Sequence, residues 1–336
     1  MSRVGASDSA GIDPDEATRE AIWTTVDPLV TRLDIDAARA HGVAPLVAER
    51  LRSRDEDVPE PLLQEERAAK TTNLIAPSVL ARARAAYDGP MLVLKGPEVA
   101  ALYPSRARML VDLDLLVADA QAAWYGLLDA GFVRADRLKW VPPEFYHLNP
   151  VELPGVPLPI ELHKTFRCPN GLRPPPNEAL FEAAVPASVE VPGLLAPSRP
   201  HHAVLLAGHA WAERPLERLR DLIDVAVMAE PIDPNELSQI AAEWGWDRLW
   251  HTTRRTLDWL LGHAAKPAAI RLWARHLSDL RERTPAEVQL RRWLSPFWAL
   301  PTATAFHIIG YEAKKSLIQS RAQVGRSSRA ADDDRI

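Results

Sequence analysis

Two aspartates, Asp112 and Asp114, stand two residues apart in the stretch Met91–Val117, MLVLKGPEVAALYPSRARMLVDLDLLV. Val111, Leu113 and Leu115 alternate with them. A period of two predicts a strand, in which residues two apart share a face. Both carboxylates would then project together. Like charges that close repel, and one would keep its proton unless a cation lies between them. Hard carboxylate oxygens suit Mg²⁺. Acids are disfavoured in strands and the flanking residues read as buried, so a metal pair is preferred to a solvated edge strand. A third acid, Glu161, sits between apolar neighbours in Ile160-Glu161-Leu162-His163. His163 should share its face, either orienting Glu161 or an acceptor or sitting as a packed core histidine.

Upstream, Leu94-Lys95-Gly96 ends an apolar run. A glycine at a strand-to-helix turn lets backbone N–H groups approach a phosphate, and a following helix N-terminus favours an anion. Pro97 removes one of those donors, and on its own the tripeptide is equally a plain strand terminus. Arg108 could present a planar fork to a phosphate or be a solvated turn arginine. Tyr103 is expected under the sheet rather than on a base, and Lys139 as a solvated strand lysine. His201, His202 and His209 lie on one expected helix without a Glu or Cys partner for zinc, so packing or surface roles are preferred. Trp211, Trp244, Trp246, Trp250 and Trp259 are read as helix core. Arg275, Arg281, Arg283, Arg291 and Arg292 are read as a solvated basic face.

Positioning these groups requires an α+β chain. Helical spacing fills residues 13–88, with Pro28 expected to kink or split the first helix, a second helix over Ile35–Arg54 and a third over Pro61–Tyr87. Residues 89–192 read as a small mixed sheet with short strand candidates at Phe132–Arg134, Leu138–Val141, Phe145–Leu148 and Pro157–Lys164. From 193 to 320 apolar residues recur at helical spacing. Residues 1–12 and 321–336 are read as disordered.

The order of strand, Gly turn, helix and Asp-x-Asp strand resembles the core of the polymerase-β-like nucleotidyltransferases. More narrowly, Leu94-Lys95-Gly96, Tyr103-Pro104, Arg108, Asp112-Leu113-Asp114-Leu115-Leu116-Val117 and Glu161-Leu162-His163 resemble an uncharacterised bacterial family of that superfamily. His41-Gly42-Val43-Ala44-Pro45-Leu46 and Leu219-Arg220-Asp221-Leu222-Ile223-Asp224 extend the resemblance to about His41–Gly262. It implies a nucleotidyltransferase core flanked by an N-terminal helical segment and a C-terminal helical domain. It also implies Mg²⁺ (or Mn²⁺) held by Asp112, Asp114 and Glu161, and phosphates near Lys95, Gly96 and Arg108. The donor is an NTP, with ATP expected. The implied reaction moves an NMP to a hydroxyl or phosphate of a small-molecule or protein acceptor and releases pyrophosphate. Many superfamily members carry Gly-Ser where this chain has Gly96-Pro97, which keeps open a catalytically silent nucleotide- or partner-binding module.

The net charge of −5 argues against general nucleic-acid binding, which usually needs a basic excess. A single cysteine, Cys168, excludes an intrachain disulfide. No apolar run reaches the roughly 18–20 residues of a membrane span, and the first residues lack a signal-peptide core. A cytoplasmic protein is expected.

Overall fold

A computed structural model describes residues 16–135, 141–142, 145–311 and 313–314. Lys139, most of the expected Leu138–Val141 strand and both expected disordered ends lie outside them. The chain opens with helices α1 (Glu16–Val30), α2 (Ile35–Ala40), α3 (Ala44–Arg52) and α4 (Glu60–Ala85). Pro28 lies inside α1 without splitting it. The expected helix over Ile35–Arg54 is two, because Gly42 takes φ +70°, a conformation that only glycine adopts without strain.

Next come β1 (Met91–Val93), α5 (Pro97–Ala100), β2 (Leu113–Val117), α6 (Ala120–Asp129), β3 (Val133–Arg134), β4 (Val151–Glu152), β5 (Ile160–His163), α7 (Asn177–Glu182), β6 (Val185–Pro186) and β7 (Leu195–Ala196). They form one mixed seven-stranded sheet in the order β3-β4-β5-β2-β1-β7-β6. β1 runs antiparallel to β2, and β2 parallel to β5 with Asp114 opposite Glu161 and Leu116 opposite His163.

Alternation divides the sheet into two faces. Met91, Val93, Leu113, Leu115, Ile160 and Leu162 pack against α4 and α6 in one buried cluster. Leu92, Leu94 and Leu116 belong to a second cluster shared with helices from both ends of the chain. Asp114, Glu161 and His163 lie on this second face. Over it lies α8 (Arg199–Glu213), through His202 on the Leu94 carbonyl and His209 on Lys95, and α9 (Leu219–Ala229), α10 (Pro234–Glu243) and α11 (Asp247–Leu260) pack on α8. Beyond them lie α12 (Ala268–Leu272), α13 (His276–Asp279), α14 (Pro285–Leu294), α15 (Pro296–Ala299) and helical residues 302–311. Between α12 and α13 the chain breaks at the buried Trp273 and Ala274. Among the described residues no helix is long and apolar enough to cross a membrane. The protein is thus an α+β fold, a mixed sheet between N- and C-terminal helices.

Candidate active site

β2 begins at Leu113, so Asp112 precedes the strand, and Val111, expected in the apolar alternation, is 61% exposed. Asp112 and Asp114 nonetheless meet at one group. The Lys95 ammonium lies 2.9 Å from Asp114 Oδ2 and 3.6 Å from Asp112 Oδ1. It also lies 3.1 Å from His209 Nε2, to which it donates. Burial is the larger influence on this lysine and lowers its pKa, while Asp112 opposes that.

His163 reaches Asp114 Oδ1 at 2.8 Å through Nε2. Burial, then Lys95, pushes the imidazole down to about 3. A neutral ring facing a carboxylate must donate, so the proton sits on Nε2. Among the described residues Asp114, Glu161 and His163 bring one ligand atom each within 4.8 Å of one another. With Nε2–H committed to Asp114, that nitrogen has no lone pair for a metal, and through it His163 orients the aspartate. Glu161 Oε2 lies 3.8 Å from His163 Nε2 and 3.5 Å from His147 Nε2. Burial, then the charge of Asp112, raises Glu161 to about 7.

Gly96, at φ +71°, turns the chain from β1 into α5. Arg108 is neither solvated nor loose. Its Nε and Nη2 donate to Asp224 Oδ1 and Oδ2 at 2.8 and 2.7 Å, and the buried Tyr103 hydroxyl donates to Oδ1 at 2.7 Å. Asn73 of α4 holds the preceding turn, donating to the carbonyls of Arg106 and Arg108 at 3.3 and 2.8 Å.

Two cavities lie on this side of the protein, of which the first borders Lys95 and Asp112. One, of about 170 Å³, is lined by Lys95, Gly96, Arg108, Asp112, Arg218 and Arg220 among others. The other, of about 370 Å³, is lined by Phe145, Tyr146, Cys168, Trp211, Pro296 and Leu300 among others. Arg167, on the second, forms an ion pair with Glu213, on the first.

The sequence reading missed several site groups. His209 was set aside as a packed or surface residue, yet it faces Lys95. His202, also on α8, donates from Nε2 to the Leu94 carbonyl at 2.7 Å. Their seven-residue spacing puts both on one helix face and was the available signal. Arg283 and Arg291, read as solvated, each reach Glu217 Oε2 at 2.7 Å.

No curated protein and no solved structure matches the chain. A family model described as an uncharacterised nucleotidyltransferase matches residues 32–262. That span is well over half of the 336 residues. It starts just before α2 and ends just after α11, and so contains Lys95, Asp112, Asp114, Glu161, His163 and His209. On that match the chain belongs to this uncharacterised nucleotidyltransferase family.

Proposed function

We propose that the protein is a metal-dependent nucleotidyltransferase with the core chemistry of the polymerase-β-like enzymes, moving an NMP from an NTP, with ATP the expected donor, to a hydroxyl or phosphate acceptor. The observation that carries this reading is the parallel pairing that sets Asp114 opposite Glu161 on one sheet face, with Asp112, just before the strand, sharing the Lys95 ammonium with Asp114. The donor set fits a divalent ion. Asp114 Oδ2 is buried and faces the Lys95 ammonium at 2.9 Å, which also lies 3.6 Å from Asp112 Oδ1, so the carboxylate pair already attracts a cation. Asp112, Asp114 and Glu161 would hold Mg²⁺ or Mn²⁺, which when bound supplies Lewis-acid stabilisation of phosphoryl charge.

The chain's own groups do the rest. An acceptor oxygen forms a bond to the α-phosphorus as the bond to the bridging β-phosphate oxygen breaks, and pyrophosphate leaves with that electron pair. Glu161 takes the acceptor's proton. His163 holds Asp114 in place. Gly96, Lys95 and Arg108 border the cavity where the phosphates would lie. The aromatic-lined cavity across the Arg167–Glu213 pair is suited to the acceptor, a small molecule or a protein side chain.

The test is pyrophosphate release from each NTP with Mg²⁺ or Mn²⁺ and cell extract. Asp112→Asn with Asp114→Asn should lower it by more than about a hundredfold while the far-UV spectrum is kept. Full activity in the folded double variant would remove the reading. Nucleotide binding without release in the wild type would favour the silent binding module, which Gly96-Pro97 keeps open.

A further inference from the structure

We propose that the polyphosphate of the nucleotide is seated on Arg218, at the end of the turn between α8 and α9, and Arg220, in the first turn of α9, rather than chiefly on Lys95, Gly96 and Arg108. The proposal rests on the nucleotidyltransferase reading and names how that site grips its donor. The cations that the sequence nominates are already engaged, Lys95 by Asp112 and Asp114 and Arg108 by both oxygens of Asp224. The Gly96 turn opens only the four-residue α5, whose first residue, Pro97, has no N–H to offer.

Arg218 lines the same cavity as Lys95, Gly96 and Asp112. It is half-buried and forms no hydrogen bond or ion pair with any described residue. Arg220, beside it, engages a single oxygen of Asp221 at 3.0 and 3.2 Å. Burial, then the charge of Arg220, lowers the pKa of Arg218. A guanidinium in that state gains most from an anion, and its planar fork matches phosphate oxygens.

The turn is built to hold these groups there. Leu216 adopts φ +46°, a strained conformation for a branched side chain that persists only where the surroundings impose it. The surroundings come from both ends of the chain. Arg283 Nη2 donates to the Leu216 carbonyl at 3.0 Å, and His276 Nε2 to that of Glu217 at 2.9 Å. Arg283 and Arg291 clamp the Glu217 carboxylate. From the N-terminal helices, His41 accepts the N–H of Arg220 on its carbonyl at 3.2 Å and that of Leu219 on Nδ1 at 3.3 Å. Those two amides of α9 are thereby taken, so an anion here would be held by the guanidinium groups and not by the helix end.

The test is calorimetric titration of the full-length protein with inorganic tripolyphosphate in the absence of divalent metal. R218Q should weaken binding about tenfold or more and raise the KM for NTP. R218K, which keeps the charge and loses the fork, should weaken it severalfold, and R255Q, at an exposed arginine of α11, should leave it unchanged. A wild type that takes no tripolyphosphate at millimolar concentration overturns the proposal, as does a folded R218Q with wild-type affinity. Should R218Q fail to melt cooperatively, R218K carries the test, and wild-type affinity there is equally fatal. If Arg218 governs tripolyphosphate binding but no NTP yields pyrophosphate, the reaction falls and the anion seat stands. If NTP turnover proceeds in R218Q with wild-type KM, the seat falls and the reaction stands.

Discussion

At Nζ of Lys95 the charges of the site are balanced by Asp114, Asp112 and the lone pair of His209. A divalent ion claiming the same carboxylates must compete with that ammonium. Lys95→Gln should therefore be less stable without metal, since Asp114 is 2% exposed and would keep only the neutral His163 beside it, yet be stabilised more by added Mg²⁺ or Mn²⁺. A tenfold tighter site adds about 1.4 kcal/mol at saturating metal. Melting curves against metal concentration check this, and equal metal-induced shifts in the two proteins would show that ammonium and ion do not compete. The pairing of Asp114 with Glu161 could be anticipated because acids stand out in apolar alternation, whereas the strand starts only at Leu113 and leaves Asp112 before it. His209 was not legible, because its partner lies 114 residues away and the local pattern around it is an ordinary buried helix. The burial of Arg108 was not legible for the same reason: its partner Asp224 is 116 residues distant.

Elements far apart in sequence meet through a pair of histidines. His41 caps α2 and His276 opens α13, and their rings stack with centroids 5.8 Å apart. Burial lowers both, more than the carbonyl contacts of Arg281 and Glu217 raise them. Arg283 lowers both further, and Glu287 opposes it at His276, which falls to about 3. His276 is neutral in the fold above about pH 3 and His41 holds its proton less readily than in the unfolded chain, where each protonates near 6.5. Below that value the unfolded state binds more protons. The stabilisation is complete above about pH 6.5 and is lost progressively as pH falls towards 3, by about 1.4 kcal/mol per pH unit for one such histidine. The buried His147, His163 and His202 act with the same sign. Denaturation between pH 6.5 and 5 should thus show stability falling with acid, and His276→Asn should flatten the slope by about one histidine's share. An unaltered slope in that variant would refute the assignment. The long helices were legible from their spacing, and the Thr284-x-x-Glu287 capping box of α14 is a local sequence signal of the same kind. The strained Leu216 turn was not legible, because what imposes it comes from helices before and after it.

Across the whole molecule, one buried cluster runs from Ile22 in α1 through Leu92 and Leu116 on the sheet to Ala305 near the end of the described chain. It crosses both boundaries expected at 88 and 192, which follow changes in element type. Trp23 shows the linkage in one residue: its Nε1 donates to the Leu102 carbonyl at 3.2 Å and its ring lies 5.0 Å from that of Tyr103. Tyr103 in turn bonds Asp224 on α9, beside which the active face is closed. A fragment carrying only 89–192 would expose the sheet face that bears the carboxylates, so those groups have no ordered surroundings without the helices. The chain should therefore unfold in one transition in denaturant, with far-UV circular dichroism and tryptophan fluorescence coincident. Trp23→Ala should shift that whole transition by about 3–5 kcal/mol. Two transitions, with the variant moving only the first, would instead mean that the N-terminal helices fold as a separate unit and that the active face survives their loss.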